Sequence, residues 1–202
     1  MKSYGQYCAL ARGLDVIGDR WTLLIVRELL VGPRRYSELR EGLPGIATNL
    51  LAERLRDLEE HGVVARDAEG TYQLTEWGQE LSAPVHALAR WAAPLMATPQ
   101  GDDTFRSTWL ALPVAVIFNG IDKRRPRLTI EIRSNDAAVT IESRNGAVWV
   151  EPGPATSPDL VITGPPDGIV GLLMGALSET SAAEQGVTIG GDLHRLARLR
   201  GG

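Results

Sequence analysis

Leucines 51, 55 and 58 in "ATNLLAERLRDLEEH" recur at helical spacing, while Asn49, Glu53 and Arg56 fall on the opposite face. The pattern predicts an amphipathic helix over residues 47–61. Shorter patterns of the same period predict helices over 8–17, 21–31 and 37–41. The punctuation agrees: Gly18 ends the first helix, Asp19 caps the second, Gly32-Pro33 ends it, Ser37 caps the third and Gly62 stops the fourth. "VVARDAEGTYQL" then reads as two short strands, 63–66 and 71–74, around a turn at 68–70. Thr75 caps a long helix whose apolar stripe is Trp77, Leu81, Val85, Leu88, Ala92 and Leu95. Pro84 should kink it by removing a backbone donor.

The pattern changes after "TPQGDDT", residues 98–104, a polar stretch punctuated by Pro99 and Gly101. Beyond it Leu128, Ile130 and Ile132 alternate with Thr129, Glu131 and Arg133, the period of a half-buried strand. We read a helix at 107–118 and strands at 127–133, 137–143, 147–150 and 159–163. Pro165-Pro166 opens a helix reaching residue 177, with Asp167 favourably near its N-terminus. A strand follows at 187–189, and Asp192 caps a last helix, "DLHRLARL". The fold class is α+β. Two domains are expected, 1–98 and 105–202, joined by a linker at 99–104, the second a sheet with apolar helices on one face.

Composition narrows the function classes. With 44% hydrophobic and 23% charged residues in 202, the chain is of ordinary globular type. Its longest apolar run, "WLALPVAVIF", is too short for a bilayer and holds Pro113; no leader is recognisable, so the expected compartment is the cytoplasm, with no membrane partner. One cysteine excludes an internal disulfide and a multi-thiolate metal site. The net charge of −4 argues mildly against nucleic acid. Any DNA contact must therefore come from locally arranged arginines, whose planar forks suit phosphates and guanine edges.

Three small helices followed by a hairpin is the order of a winged helix-turn-helix. In that arrangement 37–41 is the first helix, "GLPGI" the turn and 47–61 the helix that enters the major groove N-terminus first. Asn can bond adenine through two hydrogen bonds, and Thr can meet a phosphate or a thymine methyl. Asp57, Glu59 and Glu60 make the far end of the helix acidic.

From Tyr7 to Trp91 the chain resembles HxlR-type winged-helix transcriptional regulators, relatives of the MarR group. "IGDRWTLLIVREL", "YSEL", "LLAERLRDLEEHGVV" and "YQLTEWGQEL" stand in that family's order and separations. The resemblance implies a homodimer, paired recognition helices and a roughly palindromic double-stranded operator. Dimerisation would use the regions 4–16 and 75–96. Thr48, Asn49, Ala52 and Arg56 become candidates for contact with bases or nearby backbone, Arg34, Arg35 and Arg54 for phosphates, and Arg66 for the wing. Arg54 could equally pair with Asp57 or Glu59 within its helix. Asp67 and Glu69 make the wing tip acidic, which sits poorly with its insertion into a groove.

"PDLVITGPPDGIVGLLMGALSETSAAEQGVTIGGDLHRLARL" resembles the C-terminal part of sterol-carrier-protein-type lipid-binding domains, over about 40 residues. That resemblance implies an open sheet and helices enclosing an elongated apolar cavity for a small hydrophobic ligand. Its candidate lining is Trp109, Val116, Phe118, Leu128, Ile130, Val139, Ile141, Trp149, Ile169, Leu172, Leu173 and Leu177. Each of these is equally a core position. Gly168, Gly171 and Gly175 disfavour a helix interior by roughly 1 kcal/mol each relative to alanine, and so mark either a close approach or a mobile helix.

Catalytic groups are scarce. The three histidines have no second ligand at metal-binding spacing, and no nucleophile elbow, phosphate loop or dinucleotide fingerprint is present. No cofactor and no enzyme activity are expected. Some HxlR-type proteins sense oxidants or electrophiles through a cysteine at the start of the first helix, where Cys8 stands. A helix N-terminus favours the thiolate, although cysteine is also among the residues most often simply buried. Three functions therefore remain: a regulator with an apolar effector in its second domain, one controlled through Cys8, and a lipid-binding module without DNA binding.

Overall fold

The computed structural model describes residues 3–92, 95, 106–110, 127–134, 137–144, 147–174 and 177–192. Contacts divide the chain into two compact units between Val85 and His86. The expected linker at 99–104, residues 111–118 of the expected helix at 107–118 and residues 193–199 of the expected last helix lie outside the described residues.

The first unit opens with α1 (Ala9–Ile17), α2 (Thr22–Leu30), β1 (Arg34–Arg35), α3 (Tyr36–Gly42) and α4 (Thr48–Glu60). β2 (Val64–Arg66), β3 (Thr71–Leu74) and α5 (Glu76–Gln79) follow, and α6 (Ser82–Ala92) begins in this unit and continues past the division at Val85. Ile25, Leu29, Leu39, Leu43, Leu51, Leu55 and Leu58 are fully buried, so the leucine stripe of α4 is turned inward, as are apolar side chains of α2 and α3. Burial of each such side chain stabilises by about 1.5–3 kcal/mol at most. Gly62, at φ +72°, closes α4: its amide donates to Glu59 O at 3.0 Å and that of Val63 to Leu58 O at 2.9 Å.

Several local expectations are corrected. Asp19 does not cap α2; the residue before that helix is Trp21, held at φ +82°. Ser37 lies inside α3, whose N-cap is Arg35, and Glu38 reaches back to accept from the Arg35 amide at 2.6 Å. The hairpin gains a third strand, giving the order β1-β3-β2. Two residues before α3 are too few to show a strand period.

Thr75 does cap its helix, accepting from the Gly78 amide at 3.0 Å. The expected single long helix is instead two, broken at Glu80-Leu81. Pro84 sits in the first turn of α6, where a missing amide costs little, so the chain breaks before it rather than kinking at it. Gly78 is required by packing: a Cβ there would stand 2.1 Å from Val63 O.

In the second unit a 3₁₀ turn, Ser107–Leu110, precedes β4 (Leu128–Ser134), β5 (Ala137–Arg144), β6 (Ala147–Pro152) and β7 (Leu160–Thr163). Then come α7 (Pro166–Met174), α8 (Glu179–Glu184) and β8 (Thr188–Gly191). The sheet order is β6-β5-β4-β7-β8, with β4 and β7 parallel and the remaining pairs antiparallel. α8 was not expected; its six residues, "ETSAAE", carry too little apolar pattern to announce it, although Ser178 caps it through the Ser181 amide at 3.1 Å.

β4 departs from half-burial. Thr129 and Glu131 are buried along with Leu128, Ile130 and Ile132. The chain between β6 and β7 ties itself to the polar positions. Ala155 N donates to Glu131 Oε2 at 3.1 Å, Asp159 Oδ2 accepts from Thr129 N at 2.9 Å, and Thr140 Oγ1 donates to Gly153 O at 2.9 Å. Arg133 completes an ion pair with Glu131.

Candidate nucleic-acid interface

The face of α4 opposite its leucines is open. Thr48, Asn49, Glu53 and Arg56 are exposed and Ala52 is half-buried. α4 has no side-chain cap at its N-terminus, so its first amides are not taken by a capping residue there. The end is held from outside the helix: Tyr36 OH, at the start of α3, donates to Thr48 O at 2.6 Å. Arg56 lies along its own helix, Nε donating to Ala52 O at 3.4 Å, a long bond that a phosphate or base edge could replace.

The small sheet gathers basic residues distant in sequence. Arg34 and Arg66 both stand opposite Tyr72 in the β1-β3-β2 register. Directly opposed residues project from the same face, so the arginine before α3 and the wing arginine flank one tyrosine. The Arg66 guanidinium stacks over that ring at 5.3 Å from its centroid. Burial raises the Tyr72 phenol pKa, an effect the charge of Arg66 partly opposes. Arg35, opposite Thr71, is exposed.

The acidity of the wing tip has a structural use. Asp67 Oδ1 accepts from the amides of Glu69 at 2.9 Å and Thr71 at 2.8 Å, folding the turn. Arg54 differs from the other candidate arginines. It is mostly buried, and binds Asp19 Oδ2 at 2.6 Å, Asp57 Oδ2 at 2.5 Å and Glu53 Oε1 at 2.9 Å. The pairing with Asp57 was legible from helical spacing; that with Asp19, 35 residues away, was not.

Cys8 is exposed at the N-cap of α1. The backbone amides of Ala11 and Leu10, at the start of the helix, lower its thiol pKa. Close to it in sequence, Tyr4, Tyr7 and Leu10 are exposed, and in the second unit Leu88 and Trp91 on α6 and Leu95 beyond it are exposed as well.

In the second unit Leu128, Ile130, Val139, Ile141, Ile169, Leu172 and Leu173 join one buried cluster, and Leu177 packs against it. Trp109 is half-buried, Trp149 lies on β6, and Val116 and Phe118 fall outside the described residues. Gly168 and Gly171 answer the choice left by the sequence. Added Cβ atoms would meet Val187 Cγ2 at 2.7 Å and Leu177 Cδ1 at 2.6 Å, so close approach explains both. Gly175 is outside the described residues. Among those residues no group of histidine, cysteine and carboxylate side chains is placed to hold a metal ion, and no helix is long and apolar enough to cross a membrane.

Comparison with known proteins addresses the first unit. The model of the HxlR-like helix-turn-helix family matches residues 16–99. The HTH-type transcriptional regulator Rv3095 of Mycobacterium tuberculosis is 39% identical over 99 residues, which are 46% of this chain and 62% of Rv3095. YvaP of Bacillus subtilis is 37% identical over 87 residues, 40% of this chain and 81% of YvaP. YodB of the same organism is 37% identical over 84 residues, 39% of this chain and 75% of YodB. A crystal structure of quinone-bound YodB superposes with a TM-score of 0.40 at 36% identity, covering 42% of this chain and 96% of that one. These relatives are named as transcriptional regulators, a non-enzymatic role for the helix-turn-helix region, and this chain belongs to the HxlR-like helix-turn-helix family.

Proposed function

We propose that the protein is a dimeric DNA-binding transcriptional regulator whose second domain, sterol-carrier-like in fold, binds a small apolar effector. The observation that carries the DNA-binding part is the juxtaposition of an open α4 N-terminus with Arg34 and Arg66 across Tyr72. Thr48, Asn49, Ala52 and Arg56 then read bases or their nearby backbone, and Arg34, Arg35 and Arg66 neutralise phosphates. Thr48 and Asn49 lead into the groove, while the acidic end of α4 stays in solvent.

The dimer rests on exposed apolar side chains. Tyr4, Tyr7 and Leu10 in the N-terminal region, and Leu88, Trp91 and Leu95 around α6, are costly to leave in water and are covered by a second copy. The partner and its symmetry follow the family, and imply a roughly palindromic operator.

The effector reading draws on the open five-stranded sheet, the apolar α7 and the order strand, helix, short helix, strand after residue 159. An effector alters DNA affinity only by binding two dimer arrangements unequally. A second reading is favoured by Cys8, exposed at a helix N-terminus with a lowered thiol pKa, where oxidants or electrophiles such as quinones could act.

The test is selection of a duplex from a random-sequence pool, followed by titration with the Asn49→Ala, Arg56→Ala double variant. Binding should weaken at least about tenfold, the loss expected of one or two base contacts. Unchanged binding would leave the third reading, a lipid-binding module that does not use α4 on DNA.

A further inference from the structure

Arg54 and Asp19 form an ion pair between the recognition helix and the corner that precedes α2. Arg54 lies on the recognition helix, and a basic residue there would ordinarily be assigned to phosphate. Its surroundings oppose that. One guanidinium faces the carboxylates of Asp19, Glu53 and Asp57, so negative charge outnumbers positive around it, and it is only 15% exposed. A phosphate brought there would meet carboxylates before it met a free cation.

Asp19 belongs to the corner between α1 and α2. The residue two further on, Trp21, has a left-handed backbone that a bulky side chain adopts at a cost. The same corner reaches the helix-turn-helix a second time, since a Cβ on Gly45, in the turn before α4, would meet Trp21 Cη2 at 3.8 Å. One corner thus touches both the turn that aims α4 and the body of α4 itself. Geometry of this kind persists when the surroundings over-determine it.

We propose that Asp19 and Arg54 are a positioning pair, which seats the recognition helix on the α1–α2 corner and makes no contact with DNA. α1 carries Cys8 at its other end, so the pair joins the C-terminal end of that helix to α4. The inference rests on the DNA-binding reading, but the tether itself does not.

Asp19→Asn is the informative substitution because Arg54 keeps Glu53 and Asp57, which preserves the fold. The probes are the duplex selected by the wild-type protein and a scrambled duplex of the same length. Asp19→Asn and Arg54→Gln should each reduce the preference for the selected duplex about tenfold, with scrambled-duplex affinity, salt slope and thermal midpoint held. The double variant should be no worse than the poorer single. A salt slope reduced by about one in Arg54→Gln would make it a phosphate contact and overturn the proposal. So would a steeper slope in Asp19→Asn, which would mean that a competent arginine had been released. If the wild-type protein selects no duplex, the DNA-binding reading fails on its own. Hydrogen exchange then judges the tether: amides of residues 48–56 should exchange at least threefold faster in Asp19→Asn, with those of β3 unchanged, and equal exchange would refute it.

Discussion

Tyr36 OH donates to the carbonyl of Thr48 at 2.6 Å, so the first residue of α3 holds the first residue of α4. The bond crosses the helix-turn-helix and fixes the N-terminal end of α4. Its removal should cost about 0.5–1.5 kcal/mol, the usual net worth of such a bond. Tyr36→Phe should therefore lower the urea midpoint modestly, and should weaken binding of a selected duplex more than the stability loss explains. Equal affinity in folded variant and wild type would confine the bond to stability.

Arg34 and Arg66 flank Tyr72 on one face of the small sheet. If both meet phosphates, Arg34→Gln and Arg66→Gln should each reduce the slope of log affinity against log salt by about one. Titrations of one duplex at several salt concentrations measure this. An unchanged slope for Arg66→Gln would reduce its role to stacking on Tyr72.

Cys8 should react as a thiolate at lower pH than an ordinary cysteine, because the Ala11 and Leu10 amides favour the anion. The sign follows directly: a lowered pKa raises the thiolate fraction at any pH below the ordinary value. The pH profile of iodoacetamide labelling in native protein should lie to the acid side of that in urea. Coincident profiles would remove the basis for Cys8 as a sensor.

His86 is also shifted down, but there the charged form is the one disfavoured. Burial, followed by the charge of Arg90, lowers its pKa in the folded state. The unfolded state then binds more protons as pH falls through about 6.5, so stability declines toward acid. The urea midpoint should fall between about pH 7 and 5.5, and His86→Gln should flatten that fall. An identical pH dependence in the variant would place the proton uptake elsewhere.

Gly168 and Gly171 are packing residues if the distances to Val187 and Leu177 decide. Alanine at either position should destabilise the second domain, by about 1–3 kcal/mol as for other overpacking changes. Thermal or urea unfolding of the full chain measures it. A stabilised variant would mean that α7 has room to move, and would revive glycine as a mark of a ligand site.

Much of the helix-turn-helix was legible because its signals are local. Leu51, Leu55 and Leu58 state one helix face by spacing alone, Gly62 ends that helix by its positive φ, and Thr75 caps the next. Where a residue has two local uses, local reasoning chose wrongly. Asp19 looks like a cap but is drawn to Arg54; Ser37 looks like a cap but Glu38 does the reaching; Pro84 looks like a kink but falls in a first turn.

The sequence by itself determined most of the helices and strands of the helix-turn-helix, the inward face of α4 and membership of a regulator family, because helical and strand periods are written in neighbouring residues. Tertiary structure decided which arginines are available. Arg34 and Arg66 come together only because β1 and β2 flank β3, and Arg54 gains a third carboxylate, beyond Glu53 and Asp57, from a corner 35 residues earlier. The burial of Glu131 and the close packing of Gly168 were decided in the same way. Charge pairing and steric approach act through space, and no period along the chain encodes the distance between residues that folding makes neighbours.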